Sequence, residues 1–187
     1  MDEISDEQLA KAVQQGDVEQ FGVLVERYEK KMMRYAKRFL FGYEDAEDLV
    51  QIIFIKAYTN IKSFDTSQKF NSWIYRIAHN ECINAIKKKK REPLSFFSFD
   101  SVFPHPAAKQ QSDSEIIYKE IKEEVCEYLK NLEPKYREPV ILYFIEELSY
   151  KEISDIMKIP TATVGVRLSR AKKLIKQMKD TENKIET

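Results

Sequence analysis

The chain has 187 residues, enough for one large domain or two small ones, with 43% hydrophobic residues and a formal net charge of zero. Evenly spread, that charge would argue against a nucleic-acid binder. An acidic, polar N-terminus, and the lack of any apolar run near the roughly 20 residues that span a bilayer, argue against a leader or a membrane anchor. The expectation is a cytoplasmic, reduced protein. The charge, however, is sorted along the chain. Residues 158–179 hold Lys158, Arg167, Arg170, Lys172, Lys173, Lys176 and Lys179 and no acid, whereas acids dominate residues 1–20. Local sign decides which partner each part attracts.

In chain order, residues 5–14 predict a short helix with Ser5 as N-cap and Leu9, Ala12 and Val13 on one side, ended by Gly16-Asp17. Asp17–Phe41 predicts a longer helix burying Phe21, Leu24, Tyr28, Met32, Tyr35 and Phe39, with Gly42 as its C-cap. Glu44–Ile61 has the cleanest period: Ala46, Leu49, Val50, Ile53, Phe54, Ala57, Tyr58 and Ile61 form one stripe, with acids in the first turn. Ile52 and Ile55 lie off that stripe beside Asp48 and Gln51, which favours a partner surface over scattered surface residues. Lys62–Lys69 carries turn formers and predicts a loop.

Phe70–Arg91 predicts a two-sided helix. Phe70, Trp73, Ile74, Ile77, Ala78, Cys82, Ala85 and Ile86 fall on an apolar face. Asn71, Tyr75, Arg76, His79, Asn80, Asn84 and the run Lys87–Arg91 fall opposite. Amides and Arg can read base edges, and cations neutralise phosphates. A solvated basic surface is the plainer reading of this helix taken alone. Glu92–Glu115 then reads as a linker, with three prolines, five serines and no helical period. Its Phe96, Phe97, Phe99 and Phe103 suggest that it docks onto something. Cys82 and Cys126 sit on apolar helical faces and read as free, packed thiols. His79 and Cys82 could begin a metal site, but no second pair completes it, so no metal is expected.

Ile116–Leu132 predicts another amphipathic helix. Lys135–Glu146 predicts the next, burying Tyr136, Val140, Ile141 and Phe144. Ser149-Tyr150-Lys151-Glu152 is a capping box opening a short helix to Met157, with Lys158-Ile159-Pro160 as a turn. Thr161 then caps a last helix to about Lys179 that buries Val164, Leu168, Ala171 and Ile175. A short helix, a short turn and a basic second helix make the helix-turn-helix pattern. Its second helix would enter the major groove, with Thr161, Ala162, Thr163 and Val166 near base edges, and Arg167, Arg170, Lys172 and Lys173 on guanine or phosphate. An ordinary helical hairpin with a basic surface is the structural alternative.

Three stretches in this order, EDAEDLVQIIFIKAYTNI from Glu44, SWIYRIAHN from Ser72, and LEPKYREPVILYFIEELSYKEISDIMKIPTATVGVRLSRAKKLI from Leu132, resemble the extracytoplasmic-function group of bacterial sigma factors. The resemblance spans nearly the whole chain. It implies an all-α fold of two helical domains joined by a flexible linker. Residues 1–91 would bind core RNA polymerase and would read and melt the promoter −10 element. Residues 92–115 would be the linker, and residues 116–187 would bind the −35 element. It implies no cofactor and no catalysis by the chain itself, and an anti-sigma factor as a further partner. The regulon would be one of envelope or stress response.

Carried residue by residue, the resemblance places Asp48, Gln51, Ile52 and Ile55 on the polymerase clamp. It makes the loop from Phe64 to Phe70, with Asp65 and Lys69, the capturer of a flipped base. It makes Asn71, Tyr75, Arg76, His79, Asn80, Asn84, Lys87 and Lys88 the −10 surface, with Trp73 either a reader or a core anchor. Two positions depart from the family pattern. Ile52 stands where an acid is usual, and Gly165-Val166 stand where Lys, Thr or Ser is usual. A stand-alone helix-turn-helix regulator would account for the C-terminal half only, and a helical protein adaptor for neither basic helix.

Overall fold

The computed structural model describes residues 4–40, 46–91 and 128–185, and all the regular structure among them is helical. Gly42, the linker from Glu92, Cys126 and most of the helix expected over Ile116–Leu132 lie outside the described residues. Four helices make the N-terminal unit: α1 (Asp6–Gln14), α2 (Glu19–Leu40), α3 (Ala46–Asn60) and α4 (Phe70–Arg91). A 3-10 turn at Ile61–Ser63 follows α3. The C-terminal unit contains α5 (Pro134–Val140), a π-helical turn at Ile141–Ile145, α6 (Tyr150–Met157) and α7 (Thr161–Ile185).

Local chemistry starts α1 and α2. Ser5 and Gln8 form a reciprocal capping box on α1, and Gly16, at φ +108°, supplies the left-handed turn into α2. The short α1 also holds the parts around it in place. Gln14 Nε2 donates to the carbonyls of Ile61 and Phe64, both at 2.7 Å, and fixes the turn after α3. Glu7 accepts from the Phe70 backbone N–H at 3.0 Å, so an acid of α1 serves the positive end of α4. Tyr28, Tyr35, Phe39, Phe70 and Ile74 are fully buried between these helices.

The C-terminal unit corrects the sequence reading in three places. The helix expected over Lys135–Glu146 stops at Val140 and widens into a π turn, with Glu146 N–H donating to Ile141 O at 3.0 Å. The wider turn rotates the chain, so Phe144 is 67% exposed rather than buried, and its ring meets Tyr143 edge-on. Thr161 is the first residue of α7, not its cap, and α7 runs past Lys179 to Ile185. In the N-terminal unit Tyr58 leaves the expected stripe and lies exposed against Phe21.

The helix-turn-helix forms as the pattern requires. Ser149 and Glu152 cap α6 reciprocally, and Lys158 ends it in the left-handed conformation at φ 54°. Ser154 Oγ donates to Ile159 O at 2.6 Å and pins the turn. Ile153, Ile156 and Met157 of α6 then pack on Val164, Leu168 and Ala171 of α7.

Arg137 joins the units. Its guanidinium donates to the carbonyls of Leu129, Lys130 and Leu132 and, through Nη1 at 2.7 Å, to Phe39 O at the end of α2. Those carbonyls lie at helix ends, where the backbone has no partner of its own. Lysine cannot reproduce a planar fork of five donors. Arg137→Lys should therefore cost about 1.5–3 kcal/mol, seen as a lower urea midpoint with an unchanged slope.

Candidate nucleic-acid interface

The exposed side of α3 is the simplest part. Asp48, Gln51, Ile52 and Ile55 all face solvent, with Ile52 41% and Ile55 62% exposed. Tyr58 extends the same apolar surface one turn further. Sequence periodicity places Tyr58 in the core, because it cannot distinguish the edge of a stripe from its centre.

The polar residues of α4 divide into two groups. Asn80 faces solvent and lines a cavity of about 290 Å³ with Lys56, Asn60, Ser63, Trp73, Ile77 and Glu81. Trp73 is half-buried. Its ring lies 5.1 Å from Phe64 and 5.5 Å from Phe70, so it anchors the loop while presenting an edge to the cavity. Lys56 Nζ pairs with Glu81 at 2.7 Å at the cavity wall. Lys56, Asn60, Ser63 and Glu81 were not among the residues expected from sequence. They come from α3, the 3-10 turn and α4 and meet only in the fold. Asn84, Lys87 and Lys88 are exposed further along α4, and Asn71 is half-buried.

The second group turns toward the C-terminal unit. Tyr75, expected on the wet face, is 1% exposed, and its hydroxyl donates to Glu146 Oε2 at 2.6 Å. His79 Nδ1 meets Glu138 Oε1 at 2.6 Å, and the Tyr35 hydroxyl donates to the same oxygen at 2.5 Å. Arg34 grips Glu146 with a bidentate pair. Arg76 Nε donates to the Asp155 carbonyl at 3.1 Å, and Lys69 Nζ pairs with Glu152 at 3.1 Å. Burial first, and the neighbouring carboxylates second, push the Tyr35 and Tyr75 phenols well above their ordinary range, so both remain proton donors. Burial also raises the Cys82 thiol, leaving it an unreactive part of the core.

Phe64 is a second correction. It is buried between Phe70 and Trp73 and shapes the loop rather than offering its ring to a base. Asp65 is exposed. It accepts from the Ser67 N–H at 3.0 Å, and that bond holds its carboxyl below the usual range.

On α7, Thr161, Ala162, Val166, Arg170, Lys172 and Lys173 are exposed, and Thr163 and Arg167 half-buried. Tyr150, the first residue of α6, lies beside Gly165: a methyl there would meet the Tyr150 ring at 3.5 Å, an ordinary contact. Among the described residues, no cluster of three His, Cys, Asp or Glu could hold a metal ion, and no helix is long and apolar enough to cross a membrane.

Two helical units, the second of them a helix-turn-helix, are the architecture of a two-region DNA-binding protein. Sigma-70 region 2 matches residues 24–92, and Sigma-70, region 4 matches residues 122–175. The chain is 35% identical over 185 residues to the ECF RNA polymerase sigma factor SigW of Bacillus subtilis, covering 91% of this chain and 95% of that one. It is 33% identical over 191 residues to the ECF RNA polymerase sigma-E factor of Haemophilus influenzae, covering 99% and 97%. In fold it is similar to CnrH, solved with the cytosolic domain of CnrY, with a TM-score of 0.71 at 22% identity over 95% of this chain and 99% of that one. The chain belongs to the extracytoplasmic-function sigma factors, and it directs promoter-specific initiation of transcription.

The room beside Gly165 yields a direct test. Gly inside a helix costs about 1 kcal/mol against Ala. Gly165→Ala should therefore stabilise the free protein by up to about that amount in thermal melts. A simultaneous loss of −35 duplex affinity would mean that DNA backbone approaches at this position.

Proposed function

We propose that the chain binds core RNA polymerase through the open face of α3, using Asp48, Gln51, Ile52 and Ile55. With these it brings two DNA readers to one promoter. The single observation that carries this reading is the pair of large apolar side chains, Ile52 and Ile55, held in solvent on a helix whose other side is fully packed. Hydrophobic residues so placed fit a protein partner better than DNA. Ile52 in place of the usual acid makes the clamp contact more apolar. The chain itself catalyses no reaction; bond formation belongs to the polymerase. An anti-sigma protein is part of the same reading, supported by family membership, as are a cytoplasmic location and an envelope- or stress-response regulon.

The −10 reader is the cavity edge of α4. An open recess of about 290 Å³ lined by the Trp73 indole, the Asn60 and Asn80 amides and the Lys56–Glu81 ion pair suits one extruded base. Aromatic stacking onto single-stranded bases is worth about 1–3 kcal/mol per base. Asn80 would address the base edge and Trp73 its face, while Lys69, Lys87 and Lys88 would hold phosphate. Residues 1–91 are the natural extent of this unit, and residues 116–187 that of the −35 unit. The −35 reader is the exposed start of α7, with Thr161, Ala162, Thr163 and Val166 against base edges.

Ile52→Lys with Ile55→Glu should weaken binding to core polymerase at least tenfold without lowering the melting temperature, because neither side chain is in the core. Core-dependent transcription from a chromosomal promoter should fall with it. Unchanged affinity would move the polymerase surface elsewhere.

The two readers should separate by assay. Arg167→Ala or Arg170→Ala should weaken upstream duplex binding. The loss should be about 1–3 kcal/mol with relaxed specificity if the guanidinium reads guanine. If it holds phosphate, binding should fall evenly across sequences, with a salt slope lower by about one unit. Asn80→Ala should spare duplex binding and reduce permanganate reactivity of unpaired thymines in the open complex. Equal loss of both signals in both sets would contradict the division.

A further inference from the structure

The recess beside Trp73 is rich in acceptors and short of donors. Ser63 Oγ gives its proton to the Asn60 carbonyl at 2.7 Å. Asn60 Nδ2 donates to the Lys56 carbonyl at 2.8 Å and to Thr59 Oγ1 at 3.3 Å, which leaves its Oδ1 as an acceptor. Glu81 meets Lys56 through Oε1 alone, at 2.7 Å, and its Oε2 has no partner among the described residues. Internal hydrogen bonds thus occupy the donors of Ser63 and Asn60, and the oxygens of Ser63, Asn60 and Glu81 remain. The donors still free are the Lys56 ammonium and the Asn80 amide. The side chain of Glu81 is 12% exposed and that of Lys56 47%, so the carboxylate lies deeper and the ammonium nearer the rim.

We propose that Glu81 selects the base that enters this recess, favouring one with an amino group opposite its sugar, cytosine or adenine, over thymine or guanine. The proposal rests on the reading of the recess as the site of the extruded base.

The sugar of an extruded nucleotide stays at the mouth, tied to its phosphates, so the part of the base farthest from the sugar goes deepest. In cytosine and adenine that part carries an amine with two hydrogens to give; in thymine and guanine it carries a carbonyl oxygen. An amine there can donate to Glu81 Oε2 and to a second oxygen, from Asn60 or Ser63. A carbonyl oxygen would face other oxygens and a negative charge. A site that pairs a polar group rejects the analogue lacking it more strongly than an apolar wall does, and a charged acceptor strengthens the pairing. Lys56 has a different part. Its charge offsets that of Glu81 beside a polyanionic strand, which raises affinity without distinguishing one base from another. Phosphate fits the recess poorly, because the same oxygens would oppose it.

The test uses holoenzyme assembled with core polymerase and fork-junction DNA from a promoter that the chain serves, duplex upstream and with an unpaired non-template strand across the −10 element. Each −10 position is set in turn to A, C, G and T, and affinity is measured for the wild type, Glu81→Gln, Lys56→Gln and Asn80→Ala. None of the substituted residues is buried, and melting temperatures report that each variant is folded. A further probe replaces the preferred base by its counterpart without the amine, purine for adenine or 2-pyrimidinone for cytosine.

At one position the wild type should prefer C or A over T and G by about tenfold or more, the discrimination typical of one well-paired base contact. Glu81→Gln, whose amide donates as well as accepts, should flatten that preference and leave the other positions unchanged. Deleting the amine should cost the wild type about tenfold and Glu81→Gln almost nothing, the non-additivity of partners in contact. Lys56→Gln should lower affinity for all the bases alike. An unchanged base profile in Glu81→Gln, a Glu81-dependent preference for T or G, an amine deletion equally costly in both proteins, or a Lys56→Gln loss confined to one base overturns the proposal. If strand affinity still falls in Asn80→Ala, those results overturn only the role of Glu81. If Asn80→Ala leaves strand affinity intact, the recess is not the site of the extruded base, and that reading falls together with the proposal.

Discussion

A carboxylate taken out of water has to be given donors, and Glu138 is given two, Tyr35 from α2 and His79 from α4. That requirement organises much of the molecule. It brings α5 against α2, where Arg137 can reach the Phe39 carbonyl, and it sets the π turn so that Glu146 meets Arg34 and Tyr75. The apolar core follows from this arrangement: buried residues of the two units form one continuous cluster from Leu9 to Ala171. Apolar packing supplies most of the attraction between such surfaces, but it is non-directional. The buried acids supply the register.

The central element is α4, a helix that meets three demands. Its apolar stripe packs on α2 and α3. Trp73, Ile77 and Asn80, at helical spacing, open onto the cavity. Tyr75, Arg76 and His79 fall on a different line and meet the C-terminal unit. A helix with 3.6 residues per turn separates these lines automatically. The same geometry explains why α1, though short, matters to the reader: Gln14 and Glu7 fix the loop and the first amide of α4, and so position the cavity mouth.

Family membership and geometry carry different parts of the functional reading. Membership in the extracytoplasmic-function sigma factors establishes promoter-directed initiation. Geometry distinguishes residues that can act from residues that support them. Phe64 is a wall, Trp73 both a wall and an accessible edge, Tyr75 a buried donor, and Ile52 and Ile55 an open apolar face. Neutral overall charge is reconciled with DNA binding because Arg170, Lys172 and Lys173 of α7 are exposed while several cations of the N-terminal unit are matched by acids within the chain.

The sequence alone determined the all-helical class, the full extent of α4, the N-cap at Ser5, the capping box at Ser149, the exposure of Ile52 and Ile55, and the helix-turn-helix with its basic second helix. These are local properties, set by the spacing of apolar residues and by side chains that cap their own helices. Tertiary structure alone decided the fate of Tyr75, His79 and Phe64, the outward turn of Phe144, and the cavity formed by Lys56, Asn60, Ser63 and Glu81. Tyr75 and His79 depend on partners far away in sequence: Glu138 is 59 positions from His79, and Glu146 is 71 from Tyr75. A helical pattern tells which residues share a face, but it cannot tell whether that face meets water, DNA or another part of the same chain.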